Sequence, residues 1–396
     1  MANAKSKWGR ILGTILLACG LVWGVLMMAC PAAQQQRVFC CQGKVWFEDY
    51  RMPRECAAAA ASYRPENVER KDACYAPIAY DLAKCFPRDH HVGGPLFAVL
   101  AAGLMAIAAF LLARRLTGRD GTPALPLCFV ASVLLSAPML FVFGTGNQLP
   151  LAIAGICLFF AWKDESGWRR PAALVALAVA IALKLVPVFF SLVLLAERRG
   201  RDFIVVGCLS AVLVFVPFAW YGGLPAFGDF LECLHIRDGY YGIRDSWGFV
   251  GLDRCLRLGR GLPVESTRQT YWLSRSLNVV FALACLVTCV VRCWRRRAVR
   301  RMDSSALLLL TVTMIVLPGG SVIYNSLFLV PVFLMRLTEE DGRGWKLMAL
   351  EGVAWFMLFC PLQVPFSFSS VNIPLAAVAM LILGAVGLAH HPAPEP

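Results

Sequence analysis

The short stretch "FEDYRMPREC" combines side chains that could perform acid–base chemistry on a sugar or a phosphate ester. It carries adjacent carboxylates at Glu48 and Asp49, closely followed by Arg51 and Arg54. A carboxylate can deprotonate a hydroxyl, an arginine can neutralise phosphate oxygens, and an aromatic face can pack on a sugar ring. Asp49 is the candidate base and Glu48 the alternative. For any one of these residues, an ordinary solvated loop position is the competing interpretation.

Further segments carry polar and aromatic residues of the same kinds. The stretch "CYAPIAYDLAKCFP" is amphipathic, and "HIRDGYYGIRDSWGF" sets a histidine and arginines among aromatic residues. The turns "GTGNQ" and "PGGSVIYN" add amide and phenol groups between apolar runs. Aromatic residues of this kind are comfortable at a membrane surface. The predicted substrate-binding residues are Glu48, Arg51, Arg54, Tyr75, Asn147, Gln148, His235, Tyr324 and Asn325.

Lys184 and Pro187 interrupt the apolar run "PAALVALAVAIALKLVPVFFSLVLLAERRGR". An ionisable group inside such a run costs at least ~2.5 kcal/mol at the middle of a bilayer, and proline breaks a helix. Snorkelling of the lysine to the nearer surface is one explanation. Arginines flank the run at both ends, however, so we expect the lysine to lie far from both and to face the external site or a polar cavity, where a phosphate is its natural partner. The predicted phosphate-binding residues are Lys184, Arg237 and Arg244.

The composition is that of a polytopic membrane protein. Of 396 residues, 59% are hydrophobic and 16% are charged, and the mean hydropathy is +0.64. Apolar runs repeatedly reach ~17 to 22 residues, the length that a helix needs to cross about 30 Å of hydrocarbon. The net charge of +13 is distributed in small clusters between these runs. This pattern favours the positive-inside arrangement of a membrane protein over binding to nucleic acid.

The basic clusters also predict the topology. With the amino terminus in the cytoplasm, "ILGTILLACGLVWGVLMMA" is an uncleaved first span and not a signal peptide. One integral membrane domain then covers residues 1–396, with a first external loop at 31–92 and a second at 221–274. Arginines place both ends of the run around Lys184 in the cytoplasm. Since the run is too short to cross the bilayer twice, we expect it to form a broken helical hairpin. We therefore expect an all-α polytopic fold with a bundle of about 10–12 transmembrane helices.

The chain has 16 cysteines, several of which fall in the predicted external loops. External thiols favour disulfides, and long loops gain stability from them. The sequence leaves their connectivity open. A zinc site is a weak alternative because no tightly spaced pair of ligands is present. The loop cysteines are Cys40, Cys41, Cys56, Cys74 and Cys85 in the first loop and Cys233 and Cys255 in the second.

These motifs resemble those of membrane glycosyltransferases of the GT-C type, and most of all glycosyltransferase family 87, the polyprenyl-phosphate-mannose-dependent mannosyltransferases. "FEDYRMPREC" resembles the early acidic motif of that family, and "CYAPIAYDLAKCFP" resembles its Tyr-Pro-Pro segment, with Ala76 in place of the first proline. The region from "GNQ" to "KLVP" resembles the family's Gly-Gln-Asn turn and Lys-x-x-Pro break, although the order of the amides is altered here. "LPGGSVIYN" lacks the Trp and His that often follow the corresponding proline.

The resemblance implies a function and a mechanism. Asp49 would deprotonate an acceptor hydroxyl, which attacks the anomeric carbon of a polyprenyl-phosphate-linked hexose, with mannose as the first candidate, and inverts its configuration. Lys184, with Arg237 or Arg244, would offset the charge on the leaving phosphate. No cofactor and no obligatory metal are implied. The expected partners are the lipid-linked donor, a glycan or glycolipid acceptor and membrane lipid. The expected location is a bacterial inner (plasma) membrane, with the active site on the external, periplasmic face.

Other functions compete with this interpretation. A transporter or flippase also uses broken helices, but no clear inverted repeat is visible and the polar residues collect in the loops. An acyltransferase or a lipid-linked polysaccharide polymerase would place a histidine or an arginine-rich loop at its site, and His235 with Arg237 and Arg244 keeps that alternative open. A purely structural subunit would leave the Lys-Pro break unexplained.

Overall fold

A computed structural model of the chain describes residue 47 and residues 49–51, 75–117, 130–131, 133–241, 248–260, 271–295, 302–317, 323–338, 345–359 and 372–389. The described residues are helical apart from short turns, and no strand occurs among them. In the first half of the chain the helices are α1 (Pro77–Lys84), α2 (His90–Thr117), α3 (Ala137–Thr145), α4 (Leu149–Trp162), α5 (Arg169–Leu183), a 3-10 helix (Val186–Ser191) and α6 (Leu192–Ala196).

The second half continues in the same way, with helices separated by short 3-10 segments. Its helices are α7 (Gly200–Phe215), a 3-10 helix (Val216–Trp220), α8 (Leu224–Tyr241), α9 (Phe249–Gly259), α10 (Trp272–Arg295), α11 (Ser304–Val316), a 3-10 helix (Ile323–Leu329), α12 (Val330–Thr338), α13 (Trp345–Phe359) and α14 (Asn372–Ala389). The helices α8 and α9 lie within residues 221–274, so the predicted second loop contains ordered helices.

Three helices among the described residues are long and apolar enough to cross a bilayer: His90–Thr117, Gly200–Trp220 and Trp272–Trp294. Shorter apolar helices accompany them. Large hydrophobic side chains cover one face of each long helix and remain exposed, as Val99, Ile107 and Val280 show. Exposed apolar surface of this extent is typical of helices in contact with lipid. The predicted all-α polytopic membrane class is thus confirmed, while the first predicted span lies outside the described residues.

The segment around Lys184 forms the predicted broken hairpin. Helix α5 has 15 residues and therefore rises about 22 Å, less than the ~30 Å of a hydrocarbon core. It ends at Lys184, and Pro187 stands in the first turn of the following 3-10 helix. The chain then returns to its starting point, because Arg170 Nη2 lies 2.9 Å from Asp202 Oδ1. A charged residue and a proline therefore mark the tip of a reversal.

An ionic cluster holds the base of this hairpin. Lys163 Nζ lies 2.5 Å from Glu197 Oε2, and both side chains are nearly fully buried. Arg199 bridges Asp164 at 2.9 Å and Asp202 at 2.8 Å. We call the part of the bundle that carries these residues the arginine-rich end. The part that carries the 144–148 turn and Lys184, at the other ends of α4 and α5, is the Asn147 end.

Helix α4 is the central helix of the bundle. It packs against α2 on one side and α5 on another, and nearly all of its side chains are buried.

Helix packing places a further buried ion pair in the second half of the chain. Arg336 is 1% exposed and pairs with Glu351 through two contacts of 2.5 and 2.8 Å.

The apolar run at residues 125–143, which is long enough to span a bilayer, is interrupted in its described part. The chain turns at Leu135, and α3 begins after Ser136, whose hydroxyl accepts a hydrogen bond from the backbone N–H of Met139. A serine N-cap followed by a proline in the first turn favours a new helix start at this point. A short helix, α3, therefore leads directly into the turn at residues 144–148.

Candidate active site

The turn at residues 144–148 is shaped by a glycine. Gly146 ends α3 with a left-handed backbone (φ 68°), and the N–H groups of Gly146 and Asn147 donate to the carbonyls of Phe143 and Val142. Helices commonly end with such a pair of backbone hydrogen bonds. The left-handed residue in this arrangement is usually glycine, because a residue with a Cβ is strained in that conformation. A Cβ at Gly146 would also lie 2.9 Å from Cβ of Tyr50. The turn therefore needs glycine both for its backbone and for the close approach of residues 47–51.

The acidic motif packs directly on this turn. The N–H of Phe47 donates to the carbonyl of Gly144 at 2.9 Å, and Tyr50 donates its hydroxyl to the carbonyl of Pro87 at 2.7 Å. The ring of Phe47 covers Gly94, where a Cβ would lie 2.4 Å from it. Phe47 itself has a left-handed backbone (φ 59°), which costs a bulky residue of the order of 1–3 kcal/mol. Strain of this kind persists only where the surrounding contacts enforce it.

This packing brings Asp49 to Asn147. The amide Nδ2 of Asn147 donates to Oδ2 of Asp49 at 2.9 Å, across 98 residues of sequence. The other end of the same amide is also engaged, because Oδ1 of Asn147 accepts from the N–H of Leu149 at 2.9 Å. The backbone contact therefore orients the amide so that its N–H points at the carboxylate. Asn147 is 1% exposed, whereas Asp49 is only partly buried.

The neighbouring amide connects this carboxylate to the hairpin tip. Gln148 donates through Nε2 to the carbonyl of Leu183 at 3.3 Å. That carbonyl belongs to the last turn of α5, where backbone acceptors have no partner within the helix. The residue after Leu183 is Lys184. Asp49 and Lys184 are thus joined through Asn147, Gln148 and Leu183 at one end of the bundle.

Lys184 lies between two aromatic rings. Its Nζ is 4.9 Å from the ring centroid of Tyr75 and 5.7 Å from that of Tyr324. The ring of Tyr324 in turn stacks on Phe141 of α3, with centroids 5.7 Å apart and planes at 14°. Aromatic faces attract an ammonium group by roughly 0.5–2 kcal/mol. The two rings therefore help to orient the ammonium group.

The other predicted site residues are spread more widely or lie beyond what the structure describes. Arg51 and Asn325 are partly buried, in the acidic turn and next to Tyr324 respectively. His235 and Arg237 lie on α8, and their side chains are outside the described part. Glu48, Arg54 and Arg244 also lie outside it.

The cysteines and possible metal ligands form a separate question. Cys85 is an exposed thiol, and the predicted disulfides among the loop cysteines stay a prediction. Within the described residues, no group of three or more His, Cys, Asp or Glu side chains is arranged to hold a metal ion.

One cluster near the site has no counterpart among the predicted residues. Asp81 of α1 accepts hydrogen bonds from the Tyr221 hydroxyl at 2.8 Å and from Trp220 Nε1 at 3.2 Å. Lys84 donates to the same hydroxyl at 2.8 Å and lies over the Tyr221 ring. Burial and the bond to Asp81 raise the pKa of Tyr221 above its usual value, so the phenol keeps its proton. The cluster anchors α1 to the end of the 200–220 span, and Tyr75 precedes α1 directly.

The chain matches a family of known proteins. The model of the family described as glycosyltransferase family 87 matches residues 76–318, which is more than half of the chain. The match includes Asn147, Gln148 and Lys184, while Asp49 and Tyr75 precede it and Tyr324 follows it. Neither the search of curated proteins nor that of solved structures returned a match. The chain therefore belongs to glycosyltransferase family 87 and is a membrane-embedded glycosyltransferase.

Proposed function

We propose that the protein transfers a hexose, with mannose as the first candidate, from a polyprenyl-phosphate donor to a hydroxyl of a glycolipid, a polysaccharide or another acceptor. The observation that carries this proposal is the joining of a partly buried carboxylate and a hairpin-tip lysine at one end of a membrane bundle. An acid can activate a hydroxyl, and a cation beside it can bind a phosphate. A donor with a lipid tail can enter such a site from the bilayer.

Asp49 is the general base in this proposal. It takes the proton of the acceptor hydroxyl while the oxygen attacks the anomeric carbon, and the bond from that carbon to the phosphate oxygen breaks. The electron pair of that bond leaves with the polyprenyl phosphate, so one displacement inverts the configuration. Asn147 has a positioning role, because its backbone-fixed amide donates to one carboxylate oxygen and so sets the orientation of Asp49.

Lys184 offsets the charge of the leaving phosphate. Negative charge grows on the phosphate as the glycosidic bond breaks, and a cation already in place stabilises that charge without reorganisation. Tyr75 and Tyr324 hold the ammonium in position and offer ring faces to the sugar or the lipid. Arg237 or Arg244 would add a second cation from the region of α8.

The site is proposed to face the outside of a bacterial inner membrane. The arginine-rich end carries the basic clusters that the positive-inside rule places in the cytoplasm, and the Asn147 end is the opposite one. A donor presented at that face would use a lipid phosphate, because a polyprenyl carrier can deliver a sugar within the membrane.

A transfer assay tests this proposal directly. The purified protein is incubated with radiolabelled polyprenyl-phosphate mannose, polyprenyl-phosphate glucose or a nucleotide-linked mannose, and with a total membrane lipid extract as acceptor. We expect transfer from the polyprenyl-phosphate mannose and a loss of about 10²–10⁴-fold in Asp49→Asn. Asp229→Asn on α8 is the matched control and should keep the wild-type rate. Transfer from the nucleotide sugar alone would refute the donor class, and a fully active Asp49→Asn would refute the base.

A further inference from the structure

An apolar groove opens at the arginine-rich end, far from the candidate active site. Its volume is about 460 Å³, within the ~300–1,000 Å³ that is usual for small-molecule sites. It lies between α6, α10 and α11. Buried Cys289 and Leu310 form its floor, while Leu195 and Val290, each about half exposed, form its walls. Helix α10 carries exposed apolar residues along its length, so the groove faces the lipid.

The mouth of the groove is cationic and aromatic. It is lined by Arg198, Trp294 and Met302. Arg198 is exposed and has a left-handed backbone (φ 59°). The side chains of its neighbours Glu197 and Arg199 form ion pairs in the ionic cluster. The side chain of Arg198 instead lines the groove. Tryptophan is enriched at the level of lipid headgroups.

The sequence adds positive charge between two residues that line this mouth. Between the lining residues Trp294 and Met302, the chain reads "RRRAVRR". Basic clusters next to the cytoplasmic ends of spans attract anionic headgroups, and basic pockets between spans bind them specifically. The strongest basic run of the chain therefore connects, in sequence, two residues that line an apolar groove with an arginine at its entrance.

We propose that this groove binds an anionic phospholipid of the leaflet at the arginine-rich end, with one acyl chain in the groove and the headgroup phosphate on Arg198. Each part of the groove matches one part of such a lipid. The apolar walls contact the acyl chain, Trp294 lies at the level of the headgroup region, and Arg198 binds the phosphate. A second copy of the protein is a poorer occupant. A two-fold contact would bring the same patch of each copy together, and here that patch carries the exposed cation Arg198 in both.

The binding is independent of the proposed donor site. The groove lies beside α6 and Arg198, at the base of the hairpin whose tip carries Lys184. A lipid bound there would stabilise the packing of α6 against α10 and α11. It would therefore act on the stability of the folded protein and not on the chemistry at Asp49.

Native mass spectrometry of the detergent-solubilised protein tests the proposal. The protein is titrated with phosphatidylglycerol and phosphatidylcholine that have identical acyl chains. We expect wild type to retain phosphatidylglycerol preferentially, and Arg198→Gln to lower that preference about fivefold, the factor that corresponds to one arginine at an anionic surface. Ala196→Phe, which fills the groove, should reduce retention of both lipids. Arg201→Gln removes an exposed arginine that does not line the groove and should behave as wild type.

The outcomes separate the possible occupants. An unchanged lipid preference in Arg198→Gln, or an equal loss in Arg201→Gln, would overturn the proposal. A change in oligomeric state in Ala196→Phe, without a change in lipid retention, would identify the groove as a contact between copies and would equally overturn it. If Ala196→Phe does not fold, Arg198→Gln decides alone, because its side chain is exposed.

Discussion

Asn147 donates a hydrogen bond of 2.9 Å to Asp49, and the N–H of Leu149 holds the opposite end of the same amide. The acidic motif that precedes the family match is thus tied to the turn that starts the central helix. Gln148 extends the connection to Leu183 and so to the hairpin tip. One turn of five residues, 144–148, therefore sets the positions of both the proposed base and the proposed phosphate ligand.

Asn147 offers a way to separate orientation of the base from helix capping. Asn147→Ser keeps an oxygen that can accept from Leu149 but removes the amide donor to Asp49. We expect kcat to fall roughly tenfold to a hundredfold, because a misplaced base loses that much rate, with little change in KM for the acceptor. Steady-state kinetics at varied acceptor concentration measures the two constants separately.

Asn147→Ala is the comparison for this change, since it removes both contacts. It should lose a similar amount of activity and, in addition, about 0.5–1.5 kcal/mol of stability from the lost hydrogen bond to the N–H of Leu149, read from thermal unfolding. A fully active Asn147→Ser would show that Asp49 needs no orientation by this amide.

Lys184 should be required for use of the donor. Lys184→Gln removes the cation that meets the leaving phosphate, and we expect kcat/KM for the lipid-linked donor to fall by about 10²–10³. Lys184→Arg should recover part of the loss because it restores the charge. Lys84→Gln is the matched control, since Lys84 also lies over a tyrosine ring, that of Tyr221, at 4.8 Å, but outside the proposed site.

The aromatic pair around Lys184 has its own test. Tyr324→Phe keeps the ring face that the ammonium contacts and should stay near the wild-type rate, whereas Tyr324→Leu removes it. A loss of about 0.5–2 kcal/mol of transition-state binding is expected for leucine, or up to about thirtyfold in kcat/KM. Equal activity of the phenylalanine and leucine variants would contradict a role for the ring.

The hairpin predicts different accessibility for residues that are close in sequence. Leu185 is exposed beside the tip, and Arg201 is exposed at the arginine-rich end. A membrane-impermeant maleimide applied to oriented membranes should label Leu185→Cys and Arg201→Cys from opposite sides, above the background of the parent protein. Labelling of both from the same side would exclude the hairpin arrangement.

The ionic cluster at the base of the hairpin should dominate local stability. Glu197→Gln removes the buried and closer of the two carboxylates that Lys163 contacts, with Asp164 remaining at 3.4 Å, and removing one partner of a buried pair costs about 3–5 kcal/mol. Glu165→Gln provides the comparison, because its partners Arg115 and Arg169 are about half exposed and surface pairs are worth about 0–1 kcal/mol. Thermal unfolding in detergent should give a much larger loss for Glu197→Gln, and equal losses would show that the buried pair is not the stabilising contact.

Several features of the protein follow from its sequence because they depend on local composition. Apolar runs of spanning length specify helices in a bilayer, whichever neighbours they have. Arginines at both ends of the 169–201 segment, together with Pro187, require a reversal near Lys184, and the structure has it there. The acidic motif, the amide turn and the lysine were recognisable as candidates because polar groups are costly in an apolar chain.

The partners of those residues depend on the tertiary structure alone. Asp49 meets Asn147 across 98 residues, and Lys184 meets Tyr324, a contact for which spacing along the chain carries no signal. Arg336 follows an apolar run in the sequence, and packing buries it against Glu351. Each of these contacts forms only when separate helices pack side by side, since a side chain is oriented by the surfaces that surround it and not by its position in the sequence.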